Sequence, residues 1–314
     1  MRKPPWLKTT LPEGAAFAAT NEKLRRHGLN TVCSSARCPN LADCWSRATA
    51  TFMILGDICT RGCRFCSVPT GSPRGVTDDT EPQRVAAAAR ELGLRYVVIT
   101  SVDRDDLEDF GAAAFAQTVR ACRGIDGAPR VEVLTPDFGG RAELVAVVVD
   151  GAPDVFGHNI ETVERISPAV RDARADYRRS LGVLAAVKRV NPRMTTKSGL
   201  MVGLSETDEE VFEALQVLRD AGCDIVTVGQ YLQPHARCLP VARYVEPERF
   251  EEYAARAREL GFLGAFCGPM VRSSFHAAEV FSSGRISEPR QVNHRDTENT
   301  EQEEMNHRDT ENTE

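Results

Sequence analysis

From residue 50 to residue 267 the chain alternates short apolar runs with longer amphipathic runs, and this alternation limits its fold more than any other feature. The apolar runs predict strands at 50–57, 95–100, 130–138, 154–160, 195–204, 223–232 and 262–267. The amphipathic runs predict helices at 80–93, 112–124, 141–151, 176–192, 208–222 and 247–261. Six strand–helix units predict a parallel sheet covered by helices, in a partial (βα)6 barrel of the TIM-like type. A doubly wound open sheet is the alternative, and both architectures place the chemistry at the carboxyl ends of the strands.

The pattern divides the chain into three predicted segments. Residues 1–49 predict an irregular extension with short helical stretches at most, residues 50–283 hold the barrel, and residues 284–314 form a low-complexity tail. The tail contains the nine-residue run NHRDTENTE twice. Because it has almost no apolar residues to bury, it cannot offset the entropy lost on ordering, and we predict that it is disordered.

The bulk composition excludes several classes of protein. Of 314 residues, 42% are hydrophobic and 27% are charged, which is ordinary for a globular protein. The tail contributes −5 of the net charge of −6, so the body has no charge excess that would favour nucleic acid. No apolar run is long enough to cross a membrane, and the first residues, MRKPPWLKTTLPEG, lack the apolar core of a secretory signal. We therefore expect a cytoplasmic protein without nucleic-acid or membrane partners.

Six of the ten cysteines fall within residues 33–66, and this concentration needs a chemical explanation. In a reduced compartment, a tight group of thiols indicates metal or redox chemistry rather than disulfides. Cys59, Cys63 and Cys66 form C-x3-C-x2-C directly after the first long predicted strand. Three thiolates on one loop suit three irons of a [4Fe–4S] cube and leave the fourth iron open to a ligand. The alternatives are a zinc site, which would want a fourth protein ligand, and chance.

A second triplet, Cys33, Cys38 and Cys44, forms C-x4-C-x5-C before the predicted barrel. Irregular chain suits a cluster because the loop must wrap an inorganic core. Structural zinc is the alternative for an isolated triplet of this kind. Next to the first triplet, a second iron–sulfur cluster is the preferred interpretation.

The first triplet, with Phe65 before its third cysteine, resembles the radical S-adenosylmethionine superfamily. Both triplets together, with CPNLADCW and TATFMILGDICTRGCRFC around them, resemble lipoyl synthase within that superfamily, and the likeness runs from residue 2 to about residue 280. In that family the second cluster takes a serine ligand from an Arg-Ser-Ser-aromatic motif, which matches residues 272–275 here. The resemblance therefore implies Ser274 as the fourth ligand, with Ser273 as the runner-up. Without the triplet, this motif would be an ordinary surface turn.

The superfamily resemblance also implies a site for S-adenosylmethionine, which binds the open iron and yields a 5′-deoxyadenosyl radical after one-electron reduction. Contacts are expected from the cysteine loop and from the ends of the 95–100 and 154–160 strands. The candidates for binding the cofactor are Phe65, Thr100, Ser101, Asn159 and Glu161. The candidates for catalysis are Cys59, Cys63, Cys66 and Ser274. Other polar residues nearby have an ordinary interpretation as loop, capping or surface charges, namely Asp103, Asp105, Asp106 and Lys197.

The reaction that the resemblance implies is sulfur insertion at C6 and C8 of an octanoyl group bound to a carrier-protein lysine. These carbons are unactivated, so a radical is needed to remove their hydrogens. One cluster would make the radical, the other would supply sulfur, and two S-adenosylmethionine molecules would be used per lipoyl group. The implied partners are octanoylated lipoyl domains of 2-oxoacid dehydrogenases, the glycine cleavage H protein, a ferredoxin or flavodoxin, and an iron–sulfur carrier for cluster repair. The rivals are a methylthiotransferase-like or biotin synthase-like enzyme, and a non-enzymatic cluster carrier or electron-transfer module.

Five positions depart from the family's usual residues. Phe110 and Ser205 stand where Gly is common, Gly157 where Asn is common, Cys238 where His is common, and Phe275 where Tyr is common. A bulky residue in place of Gly strains a turn that needs a positive φ, and Phe275 lacks the phenolic hydroxyl. None of the five is a proposed ligand, so they bear on efficiency and stability. The cysteines outside the two triplets are expected to be core or incidental thiols, namely Cys122, Cys223, Cys238 and Cys267.

Overall fold

Eight strands form one sheet whose spatial order follows the order of the chain, within the residues that the structure describes. The structure is a computed structural model and describes residues 2–8, 15–35, 38, 40–41, 44 and 51–274. β1 pairs antiparallel with β2, and each later strand pairs in parallel with the one before it. The strands are β1 Asn30–Thr31, β2 Thr51–Ile54, β3 Tyr96–Ser101, β4 Arg130–Leu134, β5 Val155–Gly157, β6 Thr195–Val202, β7 Ile225–Gln230 and β8 Gly264–Gly268.

At least one helix follows each of the six strands from β2 to β7, so the predicted partial (βα)6 barrel is confirmed. The helices are α1 Ala15–Arg26, α2 Val32–Ser35, α3 Glu81–Glu91, α4 Ala112–Arg123, α5 Ala142–Asp150, α6 Ser167–Val170, α7 Tyr177–Val190, α8 Asp208–Asp220 and α9 Pro247–Glu259. A 3₁₀ turn, Phe138–Gly140, precedes α5. The described residues fall in one unit, Met1–Gly284. The predicted disordered tail lies outside them.

Local capping chemistry explains where several helices begin. α8 starts with a capping box: the Thr207 hydroxyl accepts from the Glu210 backbone N–H, and the Glu210 carboxylate accepts from the Thr207 N–H at 2.8 Å. α7 starts at Asp176, whose carboxylate accepts from the Arg179 N–H at 2.7 Å. These caps satisfy backbone donors that a helix cannot satisfy internally.

The N-terminal extension contains more helix than the sequence pattern predicts. α1 runs for 12 residues and has basic side chains in its last turn, which interact favourably with the helix dipole. It ends before Gly28, whose φ of +59° favours glycine. The helix is tied to the barrel at Glu91, which pairs with Arg26 at 2.5 Å and with His27 at 2.8 Å. Glu91 lies outside residues 1–49, so the sequence pattern within those residues could not reveal its contribution to the helix.

Alternate strand residues face the helices, and these form the two described apolar cores. In β3 and β4 the helix-facing residues are Val97, Ile99, Val131 and Val133, which are all fully buried and belong to the core under α3, α4 and α5. A second core lies under the later helices and includes Leu200, Val202, Val226 and Val228. The remaining strand residues face the inside of the barrel, where polar side chains are found.

A buried ion pair crosses the inside of the barrel. Lys197 of β6 donates to both carboxylate oxygens of Glu132 in β4, at 2.8 and 3.0 Å. The Tyr96 hydroxyl of β3 donates to the same carboxylate at 2.7 Å. The Lys197 and Glu132 side chains are 2% and 3% exposed. The sequence-based interpretation of Lys197 as a surface charge is therefore wrong, because the pleat turns this position inward.

Two departures from the family pattern sit where the backbone has a positive φ. Phe110 has a φ of 52° and Ser205 a φ of 86°, in the region that favours glycine. The Phe110 ring lies over Gly139, where an added Cβ would come within 3.1 Å of the ring. Gly157 is also constrained, since a Cβ there would lie 2.8 Å from the Val133 carbonyl oxygen. Phe275 is outside the described residues. No helix in the described part of the chain is long and apolar enough to span a membrane.

Candidate iron–sulfur and S-adenosylmethionine site

The first cysteine triplet lies on the loop that follows β2, at the carboxyl end of the sheet. Leu55 and Gly56 both have a positive φ and turn the chain out of the strand. The loop then closes on itself, because Cys59 N–H donates to the Pro69 carbonyl and Gly71 N–H donates to the Cys59 carbonyl, each at 2.9 Å. These contacts define the ends of the cysteine loop, residues 59–70.

Each sulfur of the triplet is within hydrogen-bonding distance of a backbone N–H. Cys59 Sγ accepts from Arg61 at 3.4 Å and from Asp103 at 3.3 Å. Cys63 Sγ accepts from Asp172 at 3.3 Å, and Cys66 Sγ accepts from Val68 at 3.5 Å. Hydrogen bonds to ligating sulfurs stabilise thiolates and tune the potential of iron–sulfur clusters. The donors come from the loop itself, from the chain after β3 and from the chain after α6.

Burial opposes ionisation of these thiols when no metal is bound. It is the main cause that raises the pKa of Cys59 and of Cys63 to about 12, and that of Cys66 to about 11. The Asp103 carboxylate raises the pKa of Cys59 and of Cys63 further, and neighbouring thiols raise all three pKa values. A bound cation reverses this balance, because coordinated thiols are deprotonated by the metal. The loop therefore suits a strongly bound metal centre better than a free nucleophilic cysteine.

A single ion and a cluster need different arrangements of these donors. Within the described residues, no group of three or more His, Cys, Asp or Glu side chains converges so as to hold one metal ion. Tetrahedral zinc requires such convergence. A [4Fe–4S] cube places each thiolate on a different iron, so its ligands surround a volume rather than a point. The three sulfurs lie on one loop and each accepts from a backbone N–H, which is compatible with three ligands of such a cube.

The second triplet lies at the same end of the barrel. Cys33 is buried, and Cys38 and Cys44 are half-buried. The segment is tied to the cysteine loop by the Ser67 hydroxyl, which donates to the Ser35 carbonyl at 2.9 Å. It is tied to the chain after β8 by Asn40, whose side-chain amide donates to the Met270 carbonyl at 2.8 Å.

The chain after β8 brings the serine motif into this region. The Arg272 guanidinium lowers the pKa of Cys38, although burial raises that pKa on balance. Ser273 and Ser274 follow directly and are half-buried. An added Cβ at Gly229 would lie 2.2 Å from the Val271 carbonyl oxygen and 3.3 Å from a guanidinium nitrogen of Arg272, so the glycine leaves room chiefly for the backbone of this segment. Cys38 and Arg272, which are far apart in sequence, therefore lie close enough for their charges to interact.

The candidates for binding S-adenosylmethionine line the ends of β3 and β5. Asn159 donates to the Glu161 carboxylate at 3.2 Å, and Glu161 holds a φ of 68°, which is unusual for a residue with a side chain. Burial raises the pKa of Glu161. The Thr100 hydroxyl donates to the Leu134 carbonyl at 2.8 Å, whereas the buried Ser101 hydroxyl has no partner among the described residues. Phe65 is half-buried and packs on the second core.

Sequence reasoning missed a charged network beneath the cysteine loop. Arg61, from within the loop, pairs with three carboxylates, and Asp137 in the loop after β4 is fully buried beside it. Asp172 accepts from the Gly62 N–H at 2.7 Å and so fixes the opposite side of the loop. His158 is buried, its ring Nδ1–H donates to the Thr135 carbonyl at 2.8 Å, and its pKa is lowered to about 4, chiefly by burial. Sequence reasoning singled out only Asp103 and Asp105 of these carboxylates, as loop or capping charges, and missed Asp137 and Asp172.

A parallel partial barrel with three cysteines after its first barrel strand defines a radical S-adenosylmethionine enzyme. The model of the Radical SAM superfamily matches residues 53–218. Solved structures with the same fold include methylornithine synthase, with a TM-score of 0.52, 13% identity, and coverage of 68% of this chain and 62% of that one. The [FeFe]-hydrogenase maturase HydG from Carboxydothermus hydrogenoformans has a TM-score of 0.56 and 14% identity, covering 75% of this chain and 56% of that one. These likenesses concern the fold alone.

A second family model, the N-terminal domain of lipoyl synthase, matches residues 1–38. Lipoyl synthase of Thermus thermophilus is 53% identical over 89% of this chain and 86% of that protein. That of Methanocella arvoryzae is 54% identical over 90% and 95%, and the mitochondrial lipoyl synthase of Drosophila melanogaster is 49% identical over 95% and 80%. The chain belongs to the lipoyl synthase family of radical S-adenosylmethionine sulfurtransferases. The rival assignments, to other radical enzymes or to a cluster carrier, are therefore not supported.

Proposed function

We propose that this chain inserts two sulfur atoms, at C6 and C8, into an octanoyl group carried by a protein lysine, and that a second [4Fe–4S] cluster provides the sulfur. The observation that carries the proposal is the meeting of two cysteine triplets and the serine motif at one end of the barrel, through Asn40 and Met270 and through Cys38 and Arg272. A radical enzyme that used one cluster would need only the first triplet. The family membership supports the same reaction.

In this proposal the residues have distinct roles. Cys59, Cys63 and Cys66 hold the cluster that binds S-adenosylmethionine and supplies the 5′-deoxyadenosyl radical. Asn159 and Glu161, together with Phe65, Thr100 and Ser101, orient S-adenosylmethionine beside that loop. The barrel around the site must keep water away from the reacting carbons.

The second cluster is assigned to Cys33, Cys38, Cys44 and Ser274, with Ser273 as the alternative serine. Serine is a harder donor than thiolate and is less well matched to a soft cluster. A weaker fourth ligand suits a cluster that gives up its own sulfide during turnover. The half-buried position of Ser274 and the approach of Arg272 to Cys38 support this assignment.

The proposed partners follow from the chemistry. The substrates are octanoylated lipoyl domains and the glycine cleavage H protein, a ferredoxin or flavodoxin delivers electrons, and an iron–sulfur carrier restores the consumed cluster. Two S-adenosylmethionine molecules are used per lipoyl group. We propose a reducing, cytoplasmic setting, which is supported by the lack of any disulfide among the ten cysteines, all of which lie in the described residues. The proposed domain limits are 1–49, 50–283 and 284–314.

The test is anaerobic and uses the full chain with reconstituted clusters, S-adenosylmethionine, reductant and an octanoylated lipoyl-domain peptide. We expect roughly eight irons per chain, 5′-deoxyadenosine, and a peptide with two added sulfurs. Cys33→Ala is expected to abolish sulfur insertion while cleavage of S-adenosylmethionine continues, and Cys63→Ala is expected to abolish both. Cys122→Ala, in a core thiol far from the loops, is the control and should retain both.

Two outcomes would contradict the proposal in different ways. If Cys33→Ala still gave lipoyl product, the second triplet would not hold the sulfur donor. If the wild-type chain bound only about four irons, the second triplet or its serine would have been assigned wrongly. Cleavage of S-adenosylmethionine without any transfer of sulfur to the peptide would keep the radical chemistry and exclude this substrate.

A further inference from the structure

We propose that Arg61 is a positioning residue that holds the cysteine loop in its cluster-binding form before any iron is bound. The proposal rests on the assignment of Cys59, Cys63 and Cys66 as ligands. Arg61 lies between the first two cysteines, yet its side chain is only 4% exposed. A guanidinium in a short surface loop usually extends into solvent. Here it turns back under the loop and into the barrel rim.

The contacts of Arg61 connect the cysteine loop to two other loops. Its Nε and one terminal nitrogen donate to the Asp105 carboxylate, at 3.1 and 2.7 Å, in the forked geometry that arginine makes best. The same terminal nitrogen donates to Asp137 at 2.8 Å, and the other lies 3.3 Å from Asp103. Asp103 and Asp105 follow β3, and Asp137 follows β4. One side chain thus joins the ends of three neighbouring strands.

The three carboxylates differ in their exposure, since the Asp103 and Asp105 side chains are 24% and 16% exposed, and the pairing is strongest at Asp137. Asp137 is 0% exposed, and its other cationic partner, Arg179, is 3.4 Å away. Asp105 has a second partner in Arg174, at 3.3 Å. Of the cations that the structure describes, Arg61 is the one that contacts all three carboxylates. Removing one partner from a buried pair leaves an uncompensated charge, which is far more costly than losing a surface pair.

The contacts of Arg61 with Asp103, Asp105 and Asp137 are here called the Arg61 clamp. The backbone around Arg61 shows which groups this clamp holds in position. Thr60 N–H donates to the Asp103 carbonyl at 3.0 Å, and the Asp105 N–H donates to the Thr60 hydroxyl at 3.0 Å. The Asp103 N–H that faces Cys59 Sγ belongs to the same segment. If the Arg61 side chain were released, only the Thr60 contacts would hold this segment against the cysteine loop, and the Asp103 N–H would be held less firmly at Cys59 Sγ. The clamp therefore sets the direction of a ligating sulfur as well as the shape of the loop.

The test compares Arg61→Lys and Arg61→Gln with the wild-type full chain, first without clusters and then with clusters reconstituted. Amide hydrogen exchange of the 59–66 segment in the cluster-free chain is expected to rise about tenfold or more in Arg61→Lys, since the fork is lost, and further in Arg61→Gln. Exchange in β6 and β7 should not change. Release of iron from the reconstituted chain to a chelator is expected to accelerate in the same order.

Arg104→Lys is the matched control. Arg104 is as buried as Arg61 and pairs with Asp106, while its second contact is the Leu55 carbonyl rather than the 59–66 segment. If Arg104→Lys raised exchange at 59–66 as much as Arg61→Lys, the effect would be general loosening and the proposal would be overturned. Wild-type exchange in Arg61→Lys would also overturn it. If Arg61→Gln does not fold, Asp137→Asn, which removes one anchor and keeps its shape, provides the second variant.

Failure of the cluster assignment would look different. A wild-type chain that gave no electron paramagnetic resonance signal responsive to S-adenosylmethionine would show that the triplet holds no radical cluster. Hydrogen exchange in the cluster-free chain would still report on the clamp. If amide hydrogen exchange at 59–66 in Arg61→Lys equalled that of the wild type, while the wild-type resonance signal responded to S-adenosylmethionine, the clamp proposal would be rejected and the cluster assignment would stand.

Discussion

The buried pair of Lys197 and Glu132 makes a quantitative prediction about the inside of the barrel. Replacing Lys197 with Met keeps much of its volume but leaves the Glu132 carboxylate without a cation. The Tyr96 hydroxyl still donates to that carboxylate at 2.7 Å, so one hydrogen bond survives. Breaking a buried ion pair from one side typically costs about 3–5 kcal/mol of stability.

Protonation sets an upper limit on this cost. A glutamate in an unfolded chain titrates near pH 4.3, so keeping its carboxyl protonated at pH 7 costs about 3.7 kcal/mol. In Lys197→Met the Glu132 carboxyl becomes protonated whenever burying its charged form would cost more free energy than protonating it. We therefore expect the variant to lose about 3–4 kcal/mol at pH 7. The loss should shrink to about 1.6 kcal/mol at pH 5.5.

Urea unfolding followed by circular dichroism at the two pH values measures both numbers. The double variant Lys197→Met with Glu132→Gln should recover most of the loss, because an amide carries no charge and can still accept from Tyr96. Lys188→Met is the matched control: its pair with Asp224 is partly exposed, so its removal should cost about 1 kcal/mol with little dependence on pH. The interpretation of Lys197 and Glu132 as a charged pair shielded from water would be refuted by either of two results. One is a loss of unfolding free energy in Lys197→Met that is the same at both pH values, and the other is a double variant no more stable than Lys197→Met.

Three further predictions follow from the fold and the candidate site. Ser205→Gly relieves a φ of 86° and should stabilise the chain by about 1 kcal/mol in the same unfolding assay, whereas Ser72→Gly, at an exposed position without a positive φ, should not stabilise it. The pKa of buried His158 is lowered to about 4, so the wild-type chain should lose stability as the pH falls from 6.5 toward 4, by up to about 1.4 kcal/mol per pH unit; His158→Gln should flatten that slope. Ser274→Ala should lower the iron and sulfide retained after reconstitution while Ser273→Ala does not, and the reverse result would make Ser273 the ligand.

The fold could be predicted because its signals are local. Each strand from β2 onward, and each later helix except the short α6, is indicated by its own periodicity, and the order of these elements is enough to predict a parallel sheet. The exact strand ends were less accessible: the run at 130–138 ends as a strand at Leu134, since the following residues turn toward the loop that contains Asp137. α1 was missed because its support comes from Glu91, which lies 65 residues after Arg26.

The candidate ligands could be predicted for the same reason. Cys59, Cys63 and Cys66 must lie on one loop to hold one cluster, so their relation is written in their spacing. The inward orientation of the Lys197 side chain could not be predicted from local sequence spacing. It depends on which face of β6 points inward, and that is decided by the register of β6 with its neighbours rather than by the residue type.

Arg61 and its aspartates show why the supporting residues of a site are harder to read than its ligands. Asp103, Asp105 and Asp137 come from two different loops, and their separation from Arg61 in sequence, up to 76 residues, carries no sign of contact. They meet only because β2, β3 and β4 are adjacent and parallel, so that their carboxyl ends open at the same rim. Each aspartate alone is consistent with a solvated loop. Together with the buried guanidinium of Arg61 they form a network of ion pairs that supports the cysteine loop. This network exists only after the sheet has formed. The ligands of the proposed cluster are therefore specified by local sequence, whereas the rigidity that orients them is specified by the order of the strands.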